Sequence, residues 1–126
     1  MKKIFYNKLI RDKIPEKIRK NGAEFKIRPL SAREFEKELL KKVGEEASGL
    51  LASKTKTELV LELADIVAVL NEIKKLKHIS EKEMAEAMRV NFAKKGGFKK
   101  KLFLAWSSDT GYKTNERMYK KLRGAP

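Results

Sequence analysis

Along most of the chain the apolar positions recur at helical spacing, and three capping-box signatures mark where helices begin. Ser31-Ala-Arg-Glu34 opens the first long helix, Thr55-Lys-Thr-Glu58 the second and Ser80-Glu-Lys-Glu83 the third. The first carries Phe35, Leu39, Val43, Ala47, Leu50 and Leu51 on one stripe, which predicts an amphipathic helix. Ala52-Ser53-Lys54 leaves a short connection, so the first two long helices are expected to be antiparallel neighbours. The third carries Met84, Ala87, Met88 and Phe92 and stops at Gly96-Gly97. A shorter helix is expected from Asp12 to Lys20, ended by Asn21-Gly22. The pattern at Glu24–Arg28 and the basic-to-apolar run after Lys99 predict minor extended segments near residues 24–28 and 99–105. Ser107 to Gly111 reads as a turn, and Asn115 to Leu122 as a last amphipathic helix through Met118, Tyr119 and Leu122. The expected fold class is all-α, an antiparallel helical bundle.

The second long helix differs from the others. Leu59 to Leu70 is apolar at nearly every position except Glu62 and Asp65, and a helix with so little polar face is expected to be covered on most sides. One small chain has few helices to cover it, so a bundle core completed by oligomerisation is expected. Glu62 and Asp65 lie three residues apart, on one face, with Glu58 one turn before them. A buried carboxylate must be ion-paired, hydrogen-bonded or metal-bound. Glu45 and Glu46 lie in the C-terminal half of the preceding helix, so an antiparallel hairpin brings the two acidic pairs together. Carboxylates converging from facing helices form a hard, all-oxygen site suited to Mg²⁺ or Mn²⁺. Two plainer readings stand beside that one. Glu62 and Asp65 would pair with Lys or Arg from neighbouring elements, and Glu45 and Glu46 would lie on an exposed face with Lys41 and Lys42 as partners. The same helix holds Gly44 and Gly49, each costing about 1 kcal/mol relative to alanine, which implies close packing, a kink or a tolerated loss.

Composition removes several chemistries. The chain has 126 residues and no cysteine, which excludes disulfides, zinc–cysteine sites and cysteine nucleophiles. Its one histidine, His78, cannot make a two-histidine metal site. No apolar run approaches the ~20 residues of a membrane span, and Met1 to Asn7 reaches Lys8 too soon for a signal peptide, so no membrane and a cytoplasmic location are expected. Charge is uneven: residues 1–22 carry a net +6, residues 94–126 a net +8, and the middle is neutral, together the +14 of the chain. Basic ends beside a neutral body fit an anionic partner, whether nucleotide phosphates, a nucleic acid or a membrane surface, or else simple solubility or the Lys-rich habit of a heat-adapted proteome.

The paired acids Glu45-Glu46 followed by Glu62-Leu-Ala-Asp65 resemble the E-E-x-x-E … E-x-x-D signature of the all-α nucleoside triphosphate pyrophosphatases, which include MazG, dimeric dUTPases and phosphoribosyl-ATP pyrophosphohydrolase. Two further segments resemble the MazG-like and phosphoribosyl-ATP-pyrophosphohydrolase-like branch: Tyr6 to Glu16, and Lys95-Gly96-Gly97-Phe98 with the basic and apolar residues after it. The resemblance covers about residues 6–104, giving an expected MazG-like helical domain at 1–104 and a basic C-terminal extension at 105–126.

It implies a bundle completed as a homodimer or homotetramer, and Mg²⁺-dependent hydrolysis of a nucleoside triphosphate to monophosphate and pyrophosphate in nucleotide-pool cleaning. By that resemblance Glu46, Glu62 and Asp65 are metal ligands, and Glu45 has a supporting or water-orienting catalytic role. Asn91 and Lys94, with Lys95, Arg11 and Lys13, are the implied substrate contacts. The third acid of the first motif would fall at position 49, where the chain has Gly49. The implied shell is therefore short of one ligand and hydrolysis impaired, and Gly49→Glu is expected to raise Mg²⁺ affinity. An alternative of another class is an inactive relative that uses its basic ends as a nucleic-acid-binding or partner-docking module, with Trp106 and Tyr112 as stacking groups among cations.

Overall fold

A computed structural model describes residues 2–108 of the chain. Four helices run in order: α1 (Ile14–Lys20), α2 (Ala32–Ala52), α3 (Lys56–Leu76) and α4 (Glu81–Lys95). Among the described residues there is no strand, and the all-α expectation holds. The chain divides into two compact units, Met1–Met88 and Arg89–Pro126, so the boundary falls inside α4. Most of the expected turn at 107–111, the helix at 115–122 and most of the 105–126 extension lie outside the described residues.

The local signals act as the sequence implies, with two changes, at the starts of α3 and α1. The Ser31 hydroxyl accepts from the Glu34 N–H at 3.2 Å and the Glu34 carboxylate accepts from the Ser31 N–H at 3.2 Å, a complete capping box. Ser80 and Glu83 form the same reciprocal pair ahead of α4. At α3 the box is half made. Thr55 accepts from the Glu58 N–H, but the Glu58 carboxylate takes the Lys54 N–H at 2.8 Å, closing the inter-helix connection instead. Pro15 sits in the first turn of α1, which starts at Ile14 rather than Asp12.

His78 ends α3. Its φ is +57°, its N–H reaches the Lys75 carbonyl, and the Ile79 N–H reaches the Lys74 carbonyl at 2.8 Å. That is a Schellman termination with histidine in the left-handed position. Neither expected extended segment becomes a strand. Residues 23–30 find no strand partner for their backbone groups. At 98–101 the Lys101 N–H closes on the Phe98 carbonyl at 3.0 Å, so the second segment opens with a turn.

In the first unit, α2 packs on α3. Two points fix the hairpin as antiparallel. Lys77, just beyond α3, donates to Glu36 near the start of α2 at 2.6 Å, while Glu46 meets Glu62 and Asp65 toward the connection. The core is small. Leu39, at 3% exposure, is the buried apolar side chain among the described residues. The expectation that α3 is covered on most sides fails within one chain, because Val60, Leu63, Val67 and Leu70 are all exposed. No helix of the described residues is long and apolar enough to cross a membrane.

Candidate metal centre

The α2 stripe Phe35, Leu39, Val43 continues into Glu46 and Gly49, and the facing α3 stripe Ile73, Val69, Ile66 continues into Asp65 and Glu62. The seam is therefore apolar toward the Lys77 end and acidic toward the connection. One carboxylate oxygen from each of Glu46, Glu62 and Asp65 lies within 4.8 Å of the others, and all three residues are half-buried. Glu45, the neighbour of Glu46, is more exposed and is not one of the three grouped acids.

Gly49 makes room for this arrangement. A Cβ at position 49 would stand 2.5 Å from Glu62 Oε2 and 2.9 Å from its Cδ. Position 49 thus faces the cluster. The space where a larger residue would begin is occupied by the Glu62 carboxylate, so glycine acts as a cradle.

Three cations attend the acids. Lys8 Nζ donates to Glu45 Oε1 at 2.9 Å. Lys42, with its side chain only 13% exposed, pairs with Glu45 Oε2 at 3.0 Å, approaches Glu46 Oε1 at 3.8 Å and donates to the Leu9 carbonyl at 3.0 Å. Arg11 Nη1 donates to Asp65 Oδ1 at 3.1 Å. The plainer sequence readings are thus realised in part: Glu45 has a lysine on each oxygen, and Asp65 has an arginine from a distant segment. Pairing leaves the cluster under-compensated. Glu46 has its pKa raised, chiefly by desolvation, with Lys42 opposing and the charges of Asp65, Glu45 and Glu62 adding. At Glu45, desolvation pushes upward but the hydrogen bonds from Lys8 and Lys42 outweigh it, and its pKa is lowered. Lys8 is raised in turn, mainly by its hydrogen bond to Glu45.

The segment before α1 crosses α2 beside the cluster. A cleft of about 220 Å³ between them is lined by Asn7, Lys8, Leu9, Glu38, Lys41, Lys42 and Glu45. None of the three grouped acids lines it. Of the residues named as substrate contacts, Arg11 joins the site. Lys13 occupies the N-cap of α1, exposed, and is not among the cations that pair with the cluster. Asn91, Lys94 and Lys95 are exposed on the last turns of α4, in the second unit.

Spacing could not find Lys8, because it pairs with Glu45 across 37 positions of sequence and nothing local marks it. Comparison of the chain with protein-family models, with curated proteins and with solved structures finds no match.

The donor set fits a hard divalent cation. It consists of carboxylate oxygens alone, with neither sulfur nor imidazole, and Gly49 lets one of the three reach the group from the facing helix. Ligand oxygens around a cation of Mg²⁺ size stand roughly 3–4 Å apart. The described spread of 4.8 Å asks only a small inward movement of half-exposed side chains.

Proposed function

We propose that the chain is a Mg²⁺-dependent nucleoside triphosphate pyrophosphohydrolase that releases pyrophosphate and the monophosphate. The observation that carries this is the Glu46, Glu62 and Asp65 cluster across an antiparallel hairpin, together with its acidic motifs and their resemblance to the MazG-like branch. When bound there, Mg²⁺ supplies charge neutralisation at the phosphates and a more acidic water. Glu46, Glu62 and Asp65 would hold the cation. Glu45, paired with Lys8 and Lys42, would orient rather than ligate. Arg11 and Lys42 supply positive charge for phosphate oxygens. The exposed apolar face of α3 favours action as a homo-oligomer.

Pyrophosphate release from a panel of nucleoside triphosphates with Mg²⁺ tests the reading. Activity is expected in the wild type and should vanish in Glu46→Gln and Asp65→Asn. Release that survives in both variants overturns it.

A second reading has its own observation. Phe98, Leu102, Phe103 and Trp106 are all exposed around Lys99, Lys100 and Lys101, which offers stacking groups among cations to single-stranded nucleic acid. Binding of a single strand that falls steeply with salt, and is lost in Trp106→Ala, favours it.

A further inference from the structure

Arg11 is attached to a carboxylate that the proposed cation also needs. It reaches Asp65 across 54 positions of sequence, from a segment with two further attachments: Lys8 to Glu45, and the Leu9 carbonyl to Lys42. The three attachments are unequal. Lys42 is well covered and holds the segment by its backbone, so Leu9 is a fixed point. The Arg11 side chain is 69% exposed and makes a single hydrogen bond to the cluster, at 3.1 Å, in an exposed pair of a kind that contributes little. Behind the fixed point Asn7 stands at φ +46°, a left-handed turn that asparagine accepts, which sets the direction of the segment.

Charge decides what this geometry does. Glu45, Glu46, Glu62 and Asp65 carry four negative charges, and Lys8, Lys42 and Arg11 supply three positive ones. A divalent cation added with all three in place would leave the group net positive, with a guanidinium beside the incoming charge. Turning Arg11 outward relieves that repulsion at the smallest structural cost.

We infer that Arg11 is an exchangeable counter-ion of the carboxylate cluster, tethered through Leu9, that gives up Asp65 in favour of a divalent cation and is thereby turned toward an anionic phosphate. This rests on the proposed cation-dependent function and adds an order to it: cation first, phosphate second. Arg11 then has two roles of opposite sign. It competes with the cation and assists the anion. A residue that merely braced Asp65 would favour both.

The test uses the full chain as wild type, Arg11→Gln, Asp65→Asn and Glu46→Gln. Mg²⁺ titration is followed by NMR, reading both affinity and the Arg11 side-chain N–H resonance. Arg11→Gln should bind Mg²⁺ about 1.4- to fivefold more tightly, the equivalent of an exposed ion pair of roughly 0.2–1 kcal/mol. In the wild type the Arg11 resonance should move with Mg²⁺ occupancy. With Mg²⁺ saturating, inorganic pyrophosphate should bind at least threefold more weakly to Arg11→Gln. Unchanged or weaker Mg²⁺ binding in Arg11→Gln overturns the exchange while leaving the cation site intact, provided Asp65→Asn and Glu46→Gln still lose it. Mg²⁺ binding that ignores Asp65→Asn and Glu46→Gln overturns the cation site, and the exchange with it.

Discussion

The two faces of α3 invert the usual distribution of polar and apolar residues. Glu62 and Asp65 face α2 and are half-buried, whereas Val60, Leu63, Val67 and Leu70 on the opposite face are exposed, Val60 at 54% and Val67 at 52%. Among the described residues α2 covers the hairpin seam of α3, and there the helix spends two positions on carboxylates. Acids in a seam are unfavourable unless something compensates them, and an apolar face in water is unfavourable unless something covers it. The difference teaches that the two faces call for answers of opposite chemistry: on the reading proposed above, a cation on one side and an apolar surface on the other. Each can be removed without touching the other.

The largest effect is expected on the outer face. Val67→Asp places a charge at the centre of the exposed stripe, 52% open in the chain, so the helix itself should survive. Light scattering should show wild-type chain above its 14.5 kDa formula mass and the variant at that mass, with helical circular dichroism retained. A wild type already monomeric at micromolar concentration would remove the covering surface from the comparison.

On the inner face, Glu62→Gln should abolish the response to Mg²⁺ without dissociating the assembly. A ligand at a hundred times its dissociation constant stabilises by about 2.7 kcal/mol, which for a domain of this size is a Tm rise on the order of 10 °C. The wild type should show such a rise and Glu62→Gln should show almost none. An equal rise in both would place the cation elsewhere.

These two faces were not equally legible. The helices, their starts and the termination at Gly96 follow from local chemistry, since a capping box or a left-handed glycine is decided within a few residues. Glu46, Glu62 and Asp65 were readable for the same reason: three-residue spacing on a stripe fixes which side chains share a seam. The Lys8 and Arg11 pairings were not, because they depend on where a non-helical segment crosses α2. Gly49 announced close packing but not its partner, and only the hairpin register shows that Glu62 fills its space. The apolarity of α3 was plain; sequence could not say that Val60, Leu63, Val67 and Leu70 stay exposed beside α2.

Gly49→Ala sharpens the inner face with a smaller effect. Alanine in a helix interior is favoured over glycine by roughly 0.5–1 kcal/mol, but its Cβ would sit 2.5 Å from Glu62 Oε2, so the carboxylate must swing away. With chelator present the variant should melt slightly higher than wild type, and with Mg²⁺ its Tm rise should be smaller. Gly49→Glu faces the same crowding, so an added acid there should help only if it replaces Glu62 as ligand. That substitution therefore calls for comparison with Gly49→Glu/Glu62→Gln. A larger Mg²⁺-induced rise in Gly49→Glu alone would show that the cradle has room for both.

The smallest effect separates the two ends of α2 by the sign of their pH dependence. Glu34, in the capping box, is held at a pKa of about 2, first by its hydrogen bond to Arg28 and then by the Ser31 N–H. The unfolded chain therefore takes up this proton first as pH falls, and the stability Glu34 contributes is present above its usual value of about 4.5 and lost between there and about 2. Glu46 runs the other way. Its pKa is raised, chiefly by desolvation and then by the neighbouring acids, so the folded chain holds its proton longer. Stability from Glu46 then increases as pH falls through its raised folded value toward the ordinary one. In chelator, urea midpoints measured from pH 7 down to 3 should drop less steeply for Glu34→Gln than for wild type. Glu46→Gln should gain stability at pH 7, where the buried charge is removed, and the gain should shrink toward pH 4. Parallel curves for the two variants would mean that the cluster is fully compensated by Lys42, Lys8 and Arg11. The inner face of α3 would then be an ordinary salt-bridged seam with no unmet charge for a cation to answer.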